Sequence, residues 1–143
     1  MRHLRKLYLS GRVGHAVSDH NARGRGGKRA LELATSPRVK VGVDQLVNLI
    51  DTDQDWNDDL RAAARRRRVH VVESAPCLEA WLLQVAGHKP PDSSAACKRA
   101  FEQEFGGAAH REQVYAQYFG RAVFDAARST VQVLDQLLTL MGV

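Results

Sequence analysis

Apolar positions along this chain fall into two kinds of pattern. Residues 45–50 form a near-continuous apolar run, and residues 69–74 (Val-His-Val-Val-Glu-Ser) form a β-branched one. Both predict strands, the first of the kind buried in a parallel sheet. Residues 4–9 mix polar and apolar side chains and predict a first strand. Helices are predicted over residues 28–35, 56–68, 77–86 and 95–105. In the first of these Ala30, Leu31 and Ala34 lie on one side. From Val114 to Met141 apolar residues recur at helical spacing, with Gly120 as a divider into two helices. The aromatics there are assigned to the core rather than to a base-stacking platform.

Punctuation agrees with these bounds. Ser36-Pro37 stops the first helix, Pro76 sits at the first turn of another, and Gly87 ends it. Residues 88–94 form a linker with Ser93 or Ser94 as N-cap, and Gly106-Gly107 close the following helix. The order is strand, helix, strand, helix, strand, helix, with short connections. It predicts an α/β fold: a small parallel sheet flanked by helices through right-handed crossovers, then a helical C-terminal region. One domain is expected over residues 1–143, with residues 93–141 as a helical extension.

The strand over 45–50 runs directly into Asp51, Asp53 and Asp55. In open parallel sheets ligands bind beyond the carboxyl ends of strands. Paired carboxylates there suit Mg²⁺ or Mn²⁺, which take one or two carboxylates and keep several waters. Glu79, early in the helix after the next strand, is the acid that would join Asp51 and Asp53 if the strands are neighbours. It stands among Leu78, Ala80, Trp81, Leu82 and Leu83; its other reading is a helix-start residue, or a partner of an arginine. Asp55, Asp58 and Asp59 are read as helix-start or solvent residues, with Asp55 also able to join the metal cluster.

Net charge sharpens the choice of partner. Formal charge is +5 over 143 residues, which permits an anionic partner such as DNA or RNA but also describes a solvated basic surface. Residues 10–29 hold five glycines, four arginines and one lysine and read as a long loop. Arg23, Arg25, Lys28 and Arg29 are its candidates for holding phosphates, and its glycines would let backbone amides approach an anion. It lacks the Walker pattern. Residues 65–68 are all arginine; they complement a helix dipole or bind nucleic acid. His15, His20, His70, His110, Cys77 and Cys97 show no zinc spacing. Residues 15–21 are a weak source of a general base, and Cys77 is read as buried rather than nucleophilic. Two cysteines, no apolar run of membrane-spanning length and no signal-like segment predict a cytoplasmic protein.

Leu49-Ile50-Asp51-Thr52-Asp53, followed by Glu73-Ser74-Ala75-Pro76-Cys77-Leu78-Glu79-Ala80-Trp81-Leu82-Leu83, resembles the RloB-like proteins and their TOPRIM-related relatives. The likeness spans roughly residues 43–105, and Cys97-Lys98 matches the family's lysine-containing segment. It implies a TOPRIM-like (Rossmann-like) fold and a Mg²⁺-dependent nuclease activity linked to phage defence. Asp51 and Asp53 would be metal ligands and catalytic residues, and Glu79 the acid of the second block. TOPRIM domains also carry a glutamate just after the first strand, whereas no glutamate precedes Glu32 here. Three expectations follow: a nuclease; a catalytically inactive module that binds nucleic acid, a protein partner or a second copy; and, least supported, a phosphate-transfer receiver.

Overall fold

The computed structural model describes residues 1–11, 17, 18, 20 and 26–143. Along the chain run α1 (Arg2–Leu9), α2 (Gly26–Ala34), α3 (Pro37–Lys40), β1 (Leu46–Asp51), α4 (Asp58–Arg66) and β2 (Val69–Ser74). Then follow α5 (Leu78–Val85), α6 (Ser94–Phe105), α7 (Glu112–Tyr118), α8 (Arg121–Ala127) and α9 (Gln132–Leu140). The chain divides into two compact units: Met1–Asp19 with Leu78–Val143, and His20–Cys77.

The unit His20–Cys77 is α/β and compatible with a Rossmann-like arrangement. β1 and β2 pair in parallel, from Leu46 opposite Val69 to Asp51 opposite Ser74. Side chains alternate across a strand, so Leu46, Ile50, Val69 and Val71 share one face. Leu31 and Ala34 of α2, Trp56, and Ala64 of α4 form a core with Ile50 and Val69. Full burial of a side chain such as Leu31 or Ile50 is worth about 1.5–3 kcal/mol. Asn57 caps α4 by accepting from the Leu60 amide; Asp58 and Asp59 occupy its first turn and Arg65 and Arg66 its last.

The other unit is helical. Ser93 caps α6 by accepting from the Ala96 amide, and Gly106, at φ 66°, ends it in the left-handed conformation. α5 packs on α6 and on α8. The core is aromatic at its centre. The fully buried Phe119 ring lies 5.2 Å from Phe105, 5.7 Å from Tyr115, 6.0 Å from Phe124 and 6.1 Å from Phe101, centroid to centroid. α1 is tied to α8 by the Tyr8 hydroxyl, which donates to Asp125 Oδ1 at 2.7 Å. Burial, and this bond to a carboxylate, push the Tyr8 phenol above its ordinary range.

Several expectations need correction. Residues 4–9 are helical, not a strand. Leu4 and Tyr8, one turn apart, are both buried, and that spacing is a helix's rather than a strand's. Among the described residues the sheet therefore has two strands. The helix predicted from Lys28 starts at Gly26, so the end of the predicted loop is helical. Pro76 lies before α5 rather than in its first turn, and the chain after Gly107 forms three helices instead of two. Among the described residues no helix is long and apolar enough to cross a membrane.

Candidate functional site

Two backbone hydrogen bonds define the sheet's carboxyl end. Past the last paired residues, the Thr52 amide donates to Ser74 O at 3.1 Å and the Asp53 amide to Pro76 O at 3.2 Å. The chain leaving β1 thus stays alongside the chain leaving β2 for two more residues. Asp51, half-buried, closes β1, and Asp53, exposed, follows on this fastened segment. The register partner of Asp51 is Ser74, which is completely buried and whose Oγ has no hydrogen-bond partner among the described residues. A buried hydroxyl left without a partner costs about 1–3 kcal/mol, so its place beside Asp51 is notable.

Asp55 is a helix-start residue, as one reading expects, but of α2 and not of the helix that follows it in the chain. Its Oδ1 accepts from the Gly27 amide at 2.5 Å and its Oδ2 from the Lys28 amide at 3.2 Å. It is therefore the N-terminal anion of α2, across 28 residues of sequence. A Cβ on Gly26, which has φ 77°, would lie 2.5 Å from that carboxylate. Of the glycines read as letting backbone amides approach an external anion, Gly26 and Gly27 instead admit the chain's own, Asp55. Asp58 and Asp59 lie in the first turn of α4, as read from sequence.

Of the candidate phosphate-binding residues, Arg23 and Arg25 lie outside the described residues. Lys28 is exposed on the first turn of α2. Arg29, on the same turn, forms an exposed pair with Glu32 at 3.2 Å, the kind worth a fraction of a kcal/mol and easily exchanged. In the segment 15–21, Val17, Ser18 and His20 are described; His15 and the rest lie outside.

Glu79 belongs to the helical unit, in the first turn of α5 and half-buried. It has no ion-pair partner among the described residues, so the arginine reading is not met. Burial first, and then the Glu79 carboxylate, push the Tyr115 phenol above its ordinary range. That places Glu79 near Tyr115, whose ring in turn lies 5.4 Å from His3. Among the described residues no group of three or more His, Cys, Asp or Glu side chains is arranged to hold a metal ion. Both cysteines are buried and free of disulfides.

A cluster the sequence reading did not single out joins Trp56, Arg61 and Glu73. Trp56 Nε1 donates to Glu73 Oε1 at 2.8 Å; Arg61 grips the same carboxylate through Nε at 2.6 Å and Nη2 at 2.9 Å. The Arg61 bonds, helped by Trp56 and opposed by burial, hold the Glu73 carboxyl below its usual range. The signal was present: Glu73 alternates with Val69 and Val71, so it faces the side of the sheet that α4 covers.

Asp51 and Asp53 supply hard oxygen donors at a sheet end beside an unpartnered hydroxyl. Mg²⁺ and Mn²⁺ are ions that commonly take one or two carboxylates and keep several waters, rather than demanding a full protein cage. Compared with protein-family models, with curated proteins and with solved structures, the chain matches none.

Proposed function

We propose that the protein is a small TOPRIM-like nuclease, dependent on Mg²⁺ or Mn²⁺, that cleaves nucleic-acid phosphodiesters in phage defence. The observation that carries this reading is the position of Asp51 and Asp53 at the carboxyl end of a parallel strand, where open α/β sheets receive ligands. Asp51 and Asp53 would hold the ion. Once bound, such an ion stabilises charge developing on the attacking or leaving phosphodiester oxygen. The bonds from Thr52 to the last residue of β2 and from Asp53 to the chain after it keep the two carboxylates on a fixed segment, which limits reorganisation during reaction. Glu79, in the helical unit, enters this reading only through the resemblance of its Pro-Cys-Leu-Glu-Ala-Trp-Leu-Leu block. Lys28 and Arg29, with Arg23 and Arg25, hold substrate phosphates.

The test is incubation of the full chain with RNA and with DNA in Mg²⁺ or Mn²⁺. Cleavage should be lost on chelation and fall at least about a hundredfold in Asp51→Ala with Asp53→Ala, as expected when a metal's transition-state stabilisation is removed. Undiminished cutting by that variant, or no cutting by the natural chain, sinks the reading.

One observation favours a second reading, a TOPRIM-like binding module without catalysis. The stretch where a first strand and its glutamate would lie is helix α1, and the first glutamate in the chain, Glu32, is on α2 paired with Arg29. Nucleic-acid binding that survives EDTA, with no turnover, would select this module. A protein partner or a second copy on the acidic edge is its other form.

A further inference from the structure

The C-terminal end of α4 carries more positive charge than the fold uses. Arg65 and Arg66 lie in its last turn, Arg67 caps it, and Arg68 turns the chain into β2 with φ 57°. All four are exposed, and so is His70. A helix dipole presents roughly half an elementary charge at this end, which one or two cations satisfy. The left-handed backbone at residue 68 favours glycine, because a Cβ crowds the following carbonyl. The fold therefore asks for neither four arginines nor an arginine at 68.

The charge is also not neutralised. Of the acids nearest in sequence, Arg61 engages Asp58 at 2.9 Å and Glu73 at 2.6 and 2.9 Å, the latter with Trp56 as well, while Asp59 lies in the first turn of α4, at the opposite end of the helix. Among the described residues none of the four arginines has an ion-pair partner. Arg61, Arg65 and His70 line a groove along α4 and β2. Arg65 and Arg66 are successive helical residues, turned by about 100° from one another, and Arg67 and Arg68 follow as the chain leaves the helix, so the four cations stand at consecutive positions around one helix end. Such forks pair with phosphates, which recur along a nucleic-acid strand at short intervals, and a contact to phosphate reads no base. A protein interface or a membrane surface would want an apolar anchor among the cations. Among the described residues the large apolar side chains that are exposed are Met1, Val41, Val43 and Tyr118, none of them in this stretch.

We propose that Arg65, Arg66, Arg67 and Arg68, with His70, form a sequence-independent surface for the phosphate backbone of nucleic acid. This surface adds substrate-holding contacts to the proposed function, and it rests on that reading only for the class of ligand. The test uses the full chain in EDTA, so cleavage is not read and the failure of nuclease activity leaves it intact. Binding of labelled single-stranded RNA, single-stranded DNA and duplex DNA is followed by anisotropy from about 50 to about 200 mM salt. Replacing the four arginines by glutamine should lower affinity at least about tenfold and reduce the slope of log K against log salt by about two to four. A control with the same loss of charge (Arg38→Gln, Lys40→Gln, Lys89→Gln and Arg99→Gln) should move both far less. Arg68→Gly should weaken binding while raising the thermal midpoint, a split that a structural role would not produce. Equal binding by the four-arginine variant overturns the proposal. So does an equal loss in the control, which would reduce the effect to net charge, and so does binding to anionic vesicles or an acidic polypeptide with none to nucleic acid.

Discussion

Phe119 in the helical unit and Asp55 in the α/β unit both hold elements distant in sequence, by different physics. Phe119 meets four other rings from three helices and their flanking chain, and its grip is non-directional contact and exclusion of water. Asp55 accepts two backbone amides, and close by Glu73 accepts from Trp56 and Arg61. These bonds are few, aimed and charged. The difference teaches what each unit is sensitive to: volume in one, protonation and helix-end chemistry in the other. It also bears on function, because the candidate carboxylates Asp51 and Asp53 lie in the unit that is fastened by polar bonds.

The comparison breaks most visibly at Phe119. Phe119→Ala should cost about 3–5 kcal/mol in urea unfolding, the range for emptying an aromatic site in a packed core; a loss under about 1 kcal/mol would mean the ring cluster does not carry its unit. Gly27→Ala comes next. A Cβ there would lie 2.5 Å from Trp56 Cε3, so the α/β core must shift, at about 1–3 kcal/mol. Unchanged stability would place Trp56 elsewhere. Asp55→Ala should cost about 1 kcal/mol, the usual value of an N-terminal cap, and should speed hydrogen exchange at the Gly27 and Lys28 amides. The smallest effect is on pH. The Glu73 carboxyl is lowered in the folded chain, so its contribution is present above the unfolded carboxyl value of about 4.3 and is lost as pH falls through the lower folded value. Trp56 and Trp81 are the two tryptophans and lie one in each unit, so a Trp81→Phe chain reports the α/β unit by fluorescence. Its acid transition should begin below about pH 4.3, and Glu73→Gln should flatten it. A profile that Glu73→Gln leaves unaltered removes this carboxylate from the account.

Elements with strong local chemistry were legible in the sequence. β2 has the bounds that its β-branched residues predict, α6 starts on Ser93 and stops at Gly106, and α4 has its acids first and its arginines last. The parallel pairing of β1 with β2 follows from their short helical connection. α1 was misread because residues 4–9 are too few to separate alternation from a single helical turn; Leu4 and Tyr8 reveal the turn only once both are seen buried. At the candidate site, the placement of Asp51 at a strand end was readable, because an apolar run stopping at an acid marks it. The role of Asp55 was not, since its partners are 28 residues earlier and nothing local to Asp55 names them. Ser74 was hidden for a related reason: its register opposite Asp51 is a property of pairing, not of either strand alone.

The bond from Asp55 back to the start of α2 sets an order of events during synthesis. The helix emerges from the ribosome before its acceptor is made, with Gly27 and Lys28 open to water. Helices of nine residues are marginal in isolation, and this one has no acid in its own first turn. It is completed only after β1 has been added and Asp55 has followed it out. The candidate carboxylates at Asp51 and Asp53 lie on the same short stretch, so the event that finishes α2 is also the one that delivers the site.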